Sequence, residues 1–192
     1  IIIVILIMAS VSAWAQDTSK PGRRDIALGY SVDLFPTVLS ALDSKFGLSF
    51  QTWVGIDRLR LRMVGAHMYK PRKMLSSEFK GHEISAGALI LDYLIPGTGG
   101  GDFGGLWVGT GFEVWNNKLS HSYLRKNAEW NNIVLTAGIG YTWKIAGNFY
   151  IDPYVAGHYV MNSGKVKVGV NSYRPDMFQA SFGLKVGYFF DL

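Results

Sequence analysis

Apolar side chains in this sequence recur every second position, and the apolar set is also the bulky set. From Phe178 the alternate positions are Phe178, Ala180, Phe182, Leu184, Val186, Tyr188 and Phe190, interleaved with Gln179, Ser181, Gly183, Lys185, Gly187 and Phe189. The stretch from Asn132 to Trp143 repeats this. Ile133, Leu135, Ala137, Ile139, Tyr141 and Trp143 alternate with Asn132, Val134, Thr136, Gly138, Gly140 and Thr142. In an extended strand the two sets face opposite sides. A period of two argues against amphipathic helices as the organising element. The bulky face is easier to build outward, against lipid, than inward, where a small barrel has little room.

Eight segments carry the alternation: Asp25–Leu34, Gly47–Ile56, Leu59–Tyr69, Glu83–Leu94, Leu106–Trp115, Asn132–Lys144, Phe149–Met161 and Met177–Phe190. Each is about ten residues or slightly longer, and a tilted strand needs about 9–11 to cross a bilayer. The connections alternate. Asp57-Arg58, the glycine-rich Pro96–Gly105 and Ala146-Gly147-Asn148 are turns; Phe35–Phe46, Lys70–His82, Asn116–Asn131 and Asn162–Asp176 are long loops. Short turns at one end and long loops at the other are the pattern of an outer-membrane barrel. Trp107, Trp115, Trp130, Trp143, Phe149, Tyr69, Tyr93 and Tyr188 fall near strand ends, where interfacial girdles belong. Charged residues make up only 17% of the 192-residue chain, below the roughly 25% of soluble domains. A soluble, lipocalin-like ligand-binding barrel in the periplasm is the alternative that periodicity alone leaves open.

The two ends carry separate signals. Ile1–Met8 is an unbroken apolar run, followed by small residues and Ala13-Trp14-Ala15 before Gln16. This is the pattern of a secretory signal peptide over residues 1–15, truncated upstream, with residues 16–192 as the exported barrel. At the other end, Lys185, Gly187, Phe190 and Leu192 fit polar-x-Gly-x-x-aromatic-x-hydrophobic. That motif resembles the C-terminal assembly signal of bacterial outer-membrane barrels, although Phe is the commoner last residue. With eight segments and an export signal, the chain resembles the small barrels of the OmpX and OmpA transmembrane type. The resemblance implies an eight-stranded antiparallel up-and-down transmembrane β-barrel in the outer membrane of a Gram-negative envelope. It also implies membrane lipids and the barrel assembly machinery as partners. It does not imply one activity, because a fold hosts many.

Chemistry is sparse in the sequence. The chain has no cysteine, which excludes disulfides, thiolate metal sites, a cysteine nucleophile and a lipid-modified N-terminal cysteine. Gly99–Gly104 matches G-x-G-x-x-G but leads into a strand, whereas a pyrophosphate site needs a helix N-terminus there. His67, His82, His121 and His158 lack the spacing of a metal site, so neither metal nor cofactor is expected. His82-Glu83 and Ser120-His121-Ser122 sit near the expected outer rim. A lipid A-modifying enzyme, a deacylase or acyltransferase, uses a His, a Ser and an acid there. The deacylase His-x-Ser motif is absent, so no catalytic residue is assigned.

The long loops are basic. Lys70, Arg72, Lys73, Lys80, Lys118, Arg125, Lys126, Lys165, Lys167 and Arg174 outnumber the acids of the same spans. Solvated loops are one reading; contact with lipopolysaccharide phosphates is the other. The export signal argues against nucleic acid. Alternation places Arg60, Arg62, Glu113, Asp152 and Lys185 inside, where unpaired charge is costly. The expected pairs are Asp152 with Lys185 and Arg62 with Glu113. The expected role is non-enzymatic: envelope integrity or surface interaction, with a lumen filled by side chains rather than an open pore.

Overall fold

The computed structural model describes residues 26–99, 103–124 and 126–192. The expected signal segment 1–15, Asp25, the turn residues Gly100, Gly101 and Asp102, and the expected loop cation Arg125 lie outside these. The barrel strands are β1 (Ile26–Asp33), β2 (Leu48–Ile56), β3 (Leu59–Lys70), β4 (Phe79–Leu94), β5 (Gly105–His121), β6 (Asn127–Ala146), β7 (Phe149–Val160) and β10 (Phe178–Asp191). They close in the order β1-β10-β7-β6-β5-β4-β3-β2. Each pair is antiparallel. The helix α1 (Phe35–Ala41) and the hairpin β8 (Val166–Val168) with β9 (Asn171–Tyr173) sit at the long-loop end.

The alternation sets which face is which. Phe112, Trp143, Phe149 and Phe182 are more than half exposed on the outer wall, 63%, 62%, 57% and 68%. The interleaved Thr136, Asp152 and Lys185 are buried in the lumen. A closed barrel leaves no open sheet edge along its full-length seams, the condition for spanning a bilayer.

The structure lengthens three strands at the outer end. The expected loop Asn116–Asn131 is mostly strand: β5 runs to His121 and β6 starts at Asn127. Asn117, Leu119 and His121 continue the buried row of β5. The sequence hid this because strands that rise above the lipid need no apolar outer face, so Asn116 and Lys118 read as loop. Likewise β4 begins at Phe79 rather than Glu83. The expected loop Phe35–Phe46 contains α1, opened by Pro36 in its first turn. The expected loop Asn162–Asp176 contains the β8–β9 hairpin, whose Val168 packs under Phe79 and Leu119.

The seam between β1 and β10 is incomplete. Register with β1 covers Asp33↔Lys185 to Ala27↔Asp191. Register with β7 covers all of Phe178 to Tyr188. Above the Leu34 N–H bond to the Leu184 carbonyl, 3.0 Å, β10 therefore has a strand neighbour on one side only. There α1 stands in place of the missing strand, with Phe35 against Phe182 at 5.4 Å between ring centroids.

Candidate functional site

The lumen has three levels. The lowest is an aromatic floor of Trp53, Phe103, Tyr150 and Phe189. A Cβ on Gly29 would collide with the Trp53 indole, and one on Gly55 with Phe103, so glycine makes room for the plug. Trp53 Nε1 donates to the Tyr150 hydroxyl at 2.9 Å. Phe103, which precedes β5 in the β4–β5 turn, is buried in this floor.

The second level is a charge cluster. Arg62 grips Asp92 with two bonds, Nε at 2.7 Å and Nη2 at 2.8 Å. Arg60 Nε reaches the same carboxylate at 2.8 Å, and its Nη2 lies 3.4 Å from Asp152. Lys185 Nζ lies 3.5 Å from Asp152, its cross-strand neighbour. Trp107 Nε1 donates to Asp152 at 2.9 Å. The Trp107 ring also takes the charges of Arg60, Arg62 and Lys185 on its face, at 5.3, 4.8 and 4.5 Å. Asp33 at the edge of the cluster accepts from the Tyr154 hydroxyl. Every charge here has an opposite partner or a donor, as a low-dielectric lumen requires.

Four of the five expected interior charges meet in this cluster; Glu113 does not. The expected Arg62–Glu113 pair is corrected to Arg62–Asp92. The β3–β4 register sets Arg60 directly opposite Asp92, with Arg62 on the same face, whereas Glu113 stands higher on β5. Asp92 was missed although counting back by twos from Leu94 brings it to the inner row.

Above the charges lies an apolar cavity of about 650 Å³. Its lumenal wall uses small and aliphatic residues such as Ala66, Met68, Ile84, Ala86 and Ala88. Its lining extends to Val38 and Leu39 of α1, to Leu42 just after it, and to Phe178 and Phe182 of β10. The cavity therefore reaches the incomplete part of the seam. Set into its wall, Ser181 Oγ lies 2.8 Å from His158 Nε2, and His158 Nδ1 lies 3.2 Å from Glu113 Oε1. The other Glu113 oxygen accepts from Trp115 Nε1. The residues come from β10, β7 and β5, so no sequence motif announces them. Their only signal was inward parity on three separate strands.

A second grouping lies on the outer wall. His67 Nδ1 is 2.9 Å from Ser85 Oγ, while Glu83 Oε1 stands 3.8 Å from His67 Nε2. His67 and Glu83 are both over a third exposed, 38%. Among the described residues no group of histidines and carboxylates is placed to hold a metal.

Of the basic residues assigned to loops, Arg72, Lys73, Lys126, Lys165, Lys167 and Arg174 are exposed at the outer end. Three stand elsewhere than expected. Lys70 ends β3 and lines the cavity. Lys80 lies on β4, and Lys118 lies on β5, 3.3 Å from Glu129 of β6. Of the assembly-signal residues, Lys185 belongs to the charge cluster and Gly187 is packed under Tyr150. Phe190 faces outward, and Leu192 N–H bonds the Ile26 carbonyl at 2.9 Å.

The fold and the apolar outer wall define an eight-stranded outer-membrane β-barrel. Solved structures of similar shape include a major outer membrane protein from Thermus thermophilus, with 9% identity and a TM-score of 0.55 over 87% of this chain and 99% of that one. Neisserial surface protein A is another, at 11% identity and a TM-score of 0.48, covering 88% of this chain and 96% of that one. No protein-family model matches the chain, and no curated protein matches it.

Proposed function

We propose that this barrel acts at the cell surface through its basic outer rim, which contacts the phosphates of lipopolysaccharide and so serves envelope integrity or surface interaction. The observation that carries the reading is the exposure of Arg72, Lys73, Lys126, Lys165, Lys167 and Arg174 at one end of the barrel. Among the described residues, Lys118 is the one cation of the loop set that has a carboxylate partner. Exposed cations without partners are free to make charge-assisted hydrogen bonds to phosphate. Export by residues 1–15 and insertion by the barrel assembly machinery belong to the same reading. Replacing Arg72, Lys73 and Lys126 by Gln is expected to weaken association with lipopolysaccharide. Added salt is expected to do the same to the parent protein, since exposed charges are screened within about 8–10 Å at physiological salt. Association unchanged by both would overturn the reading. A periplasmic ligand-binding barrel fits poorly, because Phe112, Trp143 and Phe182 would meet water. A second reading, a lipid A-modifying enzyme of deacylase or acyltransferase type, is favoured by one observation: a serine, a histidine and a glutamate meet on the cavity wall.

A further inference from the structure

Three features converge on one place in the upper barrel. The first is the seam, where β10 from Phe178 to Gly183 has partners on β7 and none on β1. An unpaired strand edge is not tolerated against hydrocarbon unless it lines a cavity or is covered. Here it does line one, and α1 covers it in part. α1 is held from the β2–β3 side, by Thr37 Oγ1 donating to the Gly47 carbonyl at 2.7 Å and Tyr69 N–H donating to Ser40 Oγ at 2.9 Å. On the β10 side it offers an apolar contact, Phe35 on Phe182. The cavity's lining runs across this junction, from Val38 and Leu42 to Phe178 and Phe182. The lining takes in Phe178 and Phe182 beside the gap as well as Lys70, Met74 and Asp176 at the rim, so the cavity adjoins the gap between α1 and β10.

The second feature is the cavity itself. About 650 Å³ falls within the roughly 300–1,000 Å³ of small-molecule sites, and its walls are mainly apolar. An aromatic floor and a charge cluster close it below, so what enters does not pass through. The third feature is the Ser181–His158–Glu113 row on its wall. Glu113 Oε1 stands 3.2 Å from His158 Nδ1, out of line for a hydrogen bond but close enough for its charge to favour the tautomer with the proton on Nδ1. Nε2 is then left to accept the Ser181 hydroxyl proton, the arrangement of an activated serine. Trp115 holds the other Glu113 oxygen, and its ring lies 5.5 Å from that of His158. His158 and Glu113 side chains are 14% and 10% exposed, so water does little to screen the pair.

From these we infer that the barrel is an acyl-ester hydrolase whose lumenal Ser181 cleaves an ester-linked acyl chain that enters from the membrane through the gap between α1 and β10. Ser181 Oγ attacks the ester carbonyl carbon and gives its proton to His158 Nε2. The carbon–oxygen bond to the alcohol breaks, and the alcohol leaves with that proton. Water then attacks the acyl-serine, again through His158, releasing the fatty acid and restoring Ser181. Ser181 and His158 touch the reacting atoms; Glu113 is a positioning residue that acts through His158. The inference deepens the second, enzymatic reading above and rests on it; it uses residues other than the basic rim, so it and the rim reading can each fail alone.

The test uses the full barrel reconstituted in vesicles of phosphatidylethanolamine and phosphatidylglycerol, with and without lipopolysaccharide. A long-chain alkyl fluorophosphonate serves as a covalent serine probe. The probe is expected to label the peptide that carries Ser181, and a short-chain probe to label it less. Fatty acid release, read by mass spectrometry, separates the two ester sources: the phospholipid and lipopolysaccharide arms carry different acyl chains. S181A and H158N are each expected to lower release roughly 100-fold or more while keeping the heat-modifiable folded band. E113Q is expected to lower the rate and E113D to restore part of it, the pattern of a carboxylate that positions the imidazole rather than one that only packs the wall. Should S181A not fold, the labelled peptide of the parent decides by itself. Labelling at Ser85 instead of Ser181, or no labelling and no release from a folded barrel, would overturn the inference.

Discussion

Asp92 is the residue on which the lumenal charges depend most. It alone accepts the bidentate grip of Arg62, and it also accepts Arg60 Nε. Asp92→Ala leaves the Arg62 guanidinium buried without a carboxylate. The expected loss is about 3–5 kcal/mol, the cost of breaking a buried ion pair from one side. Lys185→Met is expected to cost less, because Asp152 keeps Arg60 and the Trp107 indole. The double variant Arg62→Met with Asp92→Ala is expected to be more stable than Asp92→Ala alone. Urea unfolding in lipid vesicles, followed by tryptophan fluorescence, orders the variants. Equal losses at Asp92 and Lys185 would mean that the cluster does not divide as its distances suggest. The sequence assigned Arg60, Arg62, Asp152 and Lys185 to the interior by parity. It did not choose partners, because partners are set by strand register and depth, which parity leaves open.

Among the strands, β10 has two roles along its length. Its lower half closes the barrel against β1, and its upper half borders the cavity. Leu184 sits at the changeover on the lipid side, 38% exposed. Leu184→Arg is expected to cost roughly 2–4 kcal/mol near the bilayer midplane, where lipid-facing charge is least tolerated. The same unfolding measurement checks it, and an undiminished stability would mean that β10 is turned the other way. Deleting Phe190–Leu192 removes the Leu192 bond to Ile26 and an outward aromatic of the lower girdle. Loss of the heat-modifiable band in cell membranes is the expected result; normal surface levels would count against the assembly signal. α1 and the β8–β9 hairpin were illegible beforehand. Both are short, and their apolar residues gain meaning only from the barrel rim they lie against.

The complete barrel is a cup rather than a pipe. Trp53, Phe103, Tyr150 and Phe189 block the short-turn end, and the charge cluster lies over them. The purified barrel is therefore expected to show no stable open-pore conductance in planar bilayers. Large, voltage-independent steps would show that the floor does not hold. Phe103→Ala is the sharper form of this experiment. It removes the one floor ring that comes from a turn, so conductance that appears only in this variant would assign the seal to the β4–β5 turn.

The barrel and its inside-out orientation were legible in the chain alone. A strand has a period of two regardless of its neighbours, so Leu135 and Thr136 could be assigned to opposite faces before any partner strand was known. Where those faces converge was decided by the closed sheet. Ser181, His158 and Glu113 lie on three strands and meet because closure and shear bring their levels together. The gap beside them exists because β1 ends at Asp33 while β10 runs on to Phe178. Proximity across a closed sheet is a property of register, and register is stored in the pairing of strands rather than in any one of them.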